Sequence, residues 1–454
     1  MSKFLYDNYP AVVVHKIAAL SFAARVLLKQ TVRIQDGGEE RAMQIKAPGN
    51  HGFDAARLNR IDAFVKERYL DTGKLPHAQI LISRDNEIVH FSSQGAAREG
   101  SAKQIDEGSL FRIASMTKPI TSIAFMMLVE EGKVAVDTPV HDILPEFKGI
   151  GVYNGGGGGV PFATKPTVEP MRMLDLLRHT SGLTYGFQYR GNIDAVYRDT
   201  KSNAGPVENW YGDATLDTFI ADLARTPLEF SPGEAWNYSV STDVLGAVVE
   251  RVSGMPLDRF FAEKIFTPLK MHDTGFVVPA NKADRLTDCY VFAGPAGRVM
   301  YDRGENSMWL KTPNLLSGGG GLVSTALDYH RFCLMLANGG ELDGARIVGR
   351  KTIELMTMNH LPGKSDLSSL SRSLFSETQN GGVGFGLGFA VTQDVAKAMI
   401  PGSPGEYYWG GMFTTAFFVD PIEKLHMVFM TQLSPSLLYP IRRELKTLIY
   451  SALT

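Results

Sequence analysis

The 454 residues carry 46 Lys+Arg against 48 Asp+Glu, a net charge of −2, so no global field exists to gather nucleic acid or an anionic substrate. A content of 44% hydrophobic and 21% charged residues is ordinary for a globular protein, and the length allows a substantial core. The two cysteines, Cys289 and Cys333, exclude a disulfide framework and lie in no metal-binding spacing, so they read as buried free thiols.

In chain order, MSKFLYDNYP is polar and aromatic and does not read as a secretory signal; with the cysteine count this makes cytoplasmic residence the expectation. The apolar stretch 11–30 contains His15, Lys16, Arg25 and Lys29, whereas a bilayer span needs roughly 20 predominantly apolar residues. It predicts an amphipathic helix that docks on its own domain or on a partner subunit; attachment to a membrane surface is the less favoured alternative. Residues 31–50 are polar, end in Pro48-Gly49 and read as a linker, which sets 1–50 apart as arm and linker.

From Phe53 a helical pattern runs through Leu58, Ile61, Phe64, Val65 and Tyr69 and stops at Gly73. HAQILIS and EIVHFSS, separated by Arg84-Asp85-Asn86, predict a β-hairpin. Phe111 to Gly132 predicts a buried helix, with Ile120, Ile123, Ala124, Met127 and Leu128 at helical spacing. Residues 136–300 read as mainly helical with many Gly and Pro breaks. Their five-glycine run, Gly155 to Gly159, lacks a following GK[ST] and reads as a flexible surface loop. The last third returns to strands, FGLGFAVT, TTAFFVD and KLHMVFMTQ, and closes on a helix near Arg442 to Leu453. The arrangement is α+β: an α/β part (51–135 and 301–454), its sheet built from both chain ends, and a mainly helical part (136–300).

Ser115-Met116-Thr117-Lys118 is the single Ser-x-x-Lys of the chain; composition alone makes about one such match expected, so its context carries the weight. Pro119 is tolerated only in the first turn of a helix, which places Ser115 at the helix start, where the dipole favours a developing oxyanion. Lys118 lies on the same face, and burial of its stem favours the neutral amine that can accept a proton. A helix cap with a snorkelling lysine explains the same segment. Tyr238, ahead of the helical run Val244, Leu245, Val248, Val249, sits where its hydroxyl can share a proton with a lysine, although a tyrosine there is also an ordinary structural residue. Trp409-Gly410-Gly411-Met412 leads into a strand, and its glycines allow close backbone approach; a tight strand entry is the plainer reading. No G-x-S-x-G, no H-E-x-x-H and no histidine pair with metal spacing occurs, so neither a nucleophile-elbow hydrolase nor a zinc enzyme is indicated; His179 in RHTSGL reads as fixing a loop.

These three motifs, in this order and with HTSGLTYG (179–186), SGGGGLVSTALDYHRFCLMLANGG (317–340) and GFGLGFAV (384–391), resemble the class C β-lactamase-like, penicillin-recognising serine hydrolases, and among them the family VIII carboxylesterases. The resemblance runs from about Phe53 to the C-terminus. It implies a β-lactamase/transpeptidase-like fold: an antiparallel sheet flanked by helices, a mainly helical domain, and an active site between them. It implies Ser115 as the acylated nucleophile, Lys118 and Tyr238 as the base pair, and the amides of Ser115 and Met412 as the oxyanion hole. Trp409, Gly410, Gly411 and Val240 are the implied substrate contacts, and no cofactor or metal is expected. Two departures matter. Penicillin-hydrolysing members have Tyr-x-Asn where this chain has Val240, and Lys-Thr-Gly where it has Trp409-Gly410-Gly411. A missing cation and a missing amide favour neutral esters over anionic β-lactams. The expected partner is therefore a small-molecule ester, with no nucleic acid. An acyltransferase, a D-amino-acid peptidase or weak β-lactamase, and a catalytically dead binding protein are the rival readings.

Overall fold

The computed structural model describes residues 31–36, 39–199, 207–372 and 381–454; the helix expected over 11–30 lies outside them. Within the segment read as a linker, β1 (Thr31–Asp36) and β2 (Glu39–Gln44) pair as a separate antiparallel hairpin.

Among the described residues the main sheet has seven strands. Two come from the amino-terminal half, β3 (His77–Arg84) and β4 (Glu87–Gly95). Five come from the end of the chain: β5 (Val383–Phe385), β6 (Ala390–Thr392), β7 (Tyr407–Gly410), β8 (Ala416–Asp420) and β9 (Leu425–Met430). Their order is β5-β6-β7-β8-β9-β3-β4, and every neighbouring pair is antiparallel. The β3–β4 turn uses Asp85 and Asn86 at φ 53° and 67°, the left-handed pair that a two-residue hairpin demands. FGLGFAVT does not form one strand. It contains the end of β5 and the whole of β6, because Gly388 turns the chain at φ 103° between them.

The sheet separates two apolar layers, and the period-2 geometry of a strand assigns residues to them. Ile80, Ile82, Phe418, Met427 and Phe429 face the outer layer, formed with α1 (Ala55–Val65) and the closing helix. Leu81, Phe417, Val419, Val428 and Met430 face the inner layer. The inner layer holds α2 (Thr117–Glu130), α3 (Ser241–Ser253) and α4 (Ala326–Ala337); the closing helix is α5 (Ile441–Ser451). Helix α2 packs on α3, which joins the sheet part to the mainly helical part.

The five-glycine run is not a flexible loop. Val152–Gly157 and Val160–Lys165 pair as an antiparallel hairpin whose glycines adopt φ from 62° to 141°, conformations that side-chain-bearing residues rarely reach. Cys289 and Cys333 are free and buried, as expected. Among the described residues no helix is long and apolar enough to cross a membrane, and no group of three or more His, Cys, Asp or Glu is placed to hold a metal ion.

Candidate active site

The turn ahead of α2 is built around one reachable side chain. From Phe111 to Met126 every residue is buried except Ser115, which is half-buried. Arg112 anchors the approach: its guanidinium is fully buried against Asp302, Ser307 and the Thr287 carbonyl. Ala114 then adopts φ 46°, a left-handed conformation costing about 1 kcal/mol for a residue with a Cβ, and turns the chain into the helix. Pro119 falls in the first turn of α2, as expected from its missing N–H.

Lys118 is 2% exposed, and its Nζ is the hub of the site. It donates to the Gly319 carbonyl at 2.6 Å, to Tyr185 Oη at 3.0 Å and to Ser115 Oγ at 3.3 Å. Tyr238, expected as its proton partner, meets it through the ring, whose centroid lies 4.7 Å from Nζ. Ser115, Lys118 and Tyr238, far apart in the chain, are thus brought together. Tyr238 is itself wedged in an aromatic cluster, with Tyr185, His179, Trp236 and Trp409 at centroid distances of 5.3, 5.0, 6.2 and 5.4 Å.

Two residues of this hub carry no local sequence signal. Burial, and then the Asp243 carboxylate beside it, push the Tyr185 phenol well above the usual tyrosine range, so it stays protonated. Asp243, 1% exposed in the first turn of α3, accepts from Ser317 Oγ at 2.5 Å and from Gly319 N–H at 2.9 Å. Gly319 therefore links the two side chains, its N–H on Asp243 and its carbonyl on Lys118. Gly319 must be glycine here, because a Cβ would collide with the Asp243 carboxyl. His179 fixes a loop, as expected: its Nδ1 lies 3.3 Å from Ser239 Oγ, and burial and then the Lys118 charge keep it neutral.

The third wall is the turn that joins β7 to β8. Gly411 packs so closely on Ile113 and Ala114 that a Cβ would strike the Ile113 carbonyl oxygen. This contact sets the Gly411–Met412 segment against the residues just before Ser115. Met412 lies in the turn after β7, not at a strand entry, and its side chain is 42% exposed.

The expected substrate contacts are corrected by burial. Trp409 is 2% exposed, because strand alternation sends its ring inward onto Tyr238 and Phe385. Val240 is wholly buried at the start of α3, its N–H bonded to the Thr184 carbonyl. Gly410 and Gly411 are covered by Arg442 and by the Ile113 turn. These four residues support the site from beneath and do not line it.

A Beta-lactamase family model matches residues 61–450. Protein Rv1367c of Mycobacterium tuberculosis is 33% identical over 370 residues, covering 81% of this chain and 88% of that protein. Esterase EstB of Burkholderia gladioli is 32% identical over 398 residues, covering 85% of this chain and 93% of EstB. Among solved structures, EstCE1, described as a hydrolase with promiscuous acyltransferase activity, superposes with a TM-score of 0.72 at 25% identity, over 87% of this chain and 99% of EstCE1.

Proposed function

Because this chain belongs to the Beta-lactamase family, as an enzyme with the β-lactamase-type serine hydrolase fold, we propose that it hydrolyses small carboxylic esters through an acyl intermediate on Ser115. The observation that carries the reading is Lys118 Nζ at 3.3 Å from the one reachable side chain of a buried turn.

In this reading Lys118 enters as the neutral amine. Two N–H donors, to the Gly319 carbonyl and Tyr185 Oη, leave the nitrogen lone pair for the Ser115 hydroxyl. As Ser115 Oγ bonds to the ester carbon its proton passes to Nζ, and the carbonyl electron pair moves onto oxygen. The amides of Ser115 and Met412 receive that oxyanion. Collapse breaks the bond to the alcohol oxygen, which takes a proton from the Lys118–Tyr238 pair. Water then attacks the acyl carbon by the same proton route and frees the acid and Ser115.

Esters are preferred to β-lactams because no cation stands at position 409, where the resemblance puts the lactamase lysine: the side chain there is the buried, neutral Trp409, which pairs with no carboxylate. The exposed apolar side chains nearby, Met412 on the turn and Phe187 stacked on Tyr185 at 4.7 Å, suit a neutral substrate. EstB is named an esterase, which supports the same class.

The test is turnover of p-nitrophenyl acetate, butyrate and octanoate beside a chromogenic cephalosporin, with Ser115→Ala as control. Ester turnover should dominate and vanish in the variant. Wild-type turnover in Ser115→Ala overturns the assignment, and faster cephalosporin cleavage moves it to a lactamase. Ester products formed with added alcohols would make the enzyme an acyltransferase, the promiscuous activity for which EstCE1 is described.

A further inference from the structure

The turn that carries Met412 is held from behind. Arg442, the second residue of α5, reaches through the outer face of the sheet, and one of its terminal nitrogens donates both to the Gly411 carbonyl at 2.7 Å and to the Thr415 carbonyl at 2.8 Å. These carbonyls bracket Met412. Gly410 makes room for the same group: a Cβ there would lie 2.5 Å from the guanidinium carbon. The turn also has restraints of its own, among them Thr414 N–H on the same Gly411 carbonyl at 3.0 Å. Gly411 N–H bonds to the Thr415 carbonyl at 2.8 Å, Thr414 Oγ1 to the Leu433 carbonyl at 2.6 Å, and Thr415 Oγ1 to the Ile113 carbonyl at 3.3 Å. Arg442 alone among them is a charged group placed on two carbonyls of the turn, and its two charge-assisted bonds leave one nitrogen of a planar group, whose N–H directions fix orientation as well as distance.

We propose that Arg442 is a positioning residue for the oxyanion hole: it holds the Gly411–Thr415 turn so that the Met412 amide meets the developing oxyanion. The proposal rests on the acyl-Ser115 reading and adds to it a residue on the far side of the sheet, with no contact to substrate. An amide aimed at charge present only in the transition state changes kcat and leaves ground-state binding alone. A misplacement of about 1 Å costs up to about 10²-fold. Arg442 also lines a cavity of about 320 Å³ on the outer face, with Tyr408, Phe418, Leu437 and Tyr439. Removing the side chain therefore leaves a gap next to open space that free guanidinium can enter.

The experiment compares wild type, Arg442→Ala, Arg442→Lys and Ser115→Ala on p-nitrophenyl butyrate, with thermal melts of each and with low, non-denaturing guanidinium chloride added. In Arg442→Ala we expect kcat to fall about 10- to 10²-fold with KM within about 3-fold, and guanidinium to restore much of the loss. A merely structural role would lower the melting temperature and the amount of active enzyme, and guanidinium would not repair it. Unchanged kcat in Arg442→Ala, or a loss that guanidinium does not recover, overturns the proposal. Should that variant fail to fold, Arg442→Lys decides: its nitrogen stands where the guanidinium carbon stood, one bond short of the donating nitrogen, so both bonds are lengthened, kcat should still fall, and full kcat overturns the proposal. Persisting activity in Ser115→Ala would instead bring down the nucleophile reading, whatever the Arg442 variants do.

Discussion

Replacing Asp243 with Asn removes one buried charge and keeps the shape. The carboxylate accepts from Gly319 N–H at 2.9 Å, and the carbonyl of the same residue accepts from Lys118 Nζ at 2.6 Å. Two hydrogen bonds and one residue of backbone put carboxylate and ammonium about 7 Å apart. At an effective dielectric constant of about 20 their attraction is about 2 kcal/mol, equivalent to about 30-fold in rate. Asparagine still accepts from Gly319 N–H but no longer stabilises the ammonium that forms as Lys118 takes the Ser115 proton. In Asp243→Asn kcat/KM for p-nitrophenyl butyrate should therefore fall about 10- to 10²-fold. The assay is kcat/KM, with a thermal melt to show that the variant is folded. A folded Asp243→Asn enzyme with wild-type kcat/KM refutes the coupling through Gly319.

The parts of this molecule that were legible in the sequence are those decided by neighbours in the chain. The β3–β4 hairpin follows from alternation and from Asp85-Asn86, and the start of α2 follows from what Pro119 forbids. The free thiols follow from a count. The hub around Lys118 was only half legible. Ser115 is three residues away and was found; Tyr185 is 67 residues away and Gly319 is 201, and nothing local marks either as a hydrogen-bond partner. Asp243 looks like any acid in the first turn of a helix until the 317–320 loop packs on it. Trp409 failed for a related reason. Alternation says that Trp409 and Tyr408 face opposite ways, but not that Tyr238 and Phe385 arrive from other segments to bury the indole. The same holds for Arg442, whose distance in sequence from Gly411 hides that it closes on the turn from the other face.

Ser115→Ala and Lys118→Ala should each remove nearly all ester hydrolysis, since base participation alone is worth about 10²–10⁴-fold; Ser115→Ala should melt like the wild type and Lys118→Ala lower, because it strips a buried side chain that bonds Tyr185 and Gly319, and rates and melts on one preparation check this. Tyr238→Phe and Tyr185→Phe separate the two phenols. Loss of a proton partner should cost Tyr238→Phe about 10²-fold or more in kcat, whereas Tyr185→Phe, which removes hydrogen bonds to Lys118 and to the Asp243 carboxylate, should cost about 10-fold; the reverse ranking would transfer the role to Tyr185. Burial lowers His77 to about pKa 4, so the unfolded chain binds more protons between about pH 4 and 6.5, and stability is lost as pH falls through that window. His77→Asn, which can still donate to the Ala96 carbonyl, should flatten that slope by about 1 kcal/mol per pH unit in urea titrations, and an unchanged slope would clear His77. The last substitution, Trp409→Lys, distinguishes a cleft wall from a buried support. A wall would trade neutral esters for anionic substrates at little cost in stability. A support packed on Tyr238 and Phe385 cannot be exchanged so freely: the smaller side chain leaves a void, and its ammonium is buried among these rings. The change should destabilise the protein by about 3–5 kcal/mol and lower kcat on butyrate ester and cephalosporin together. Trp409→Phe, which keeps an aromatic face toward Tyr238, should recover much of both losses. A Trp409→Lys protein that melts normally and gains cephalosporin turnover would put the indole back on the cleft wall.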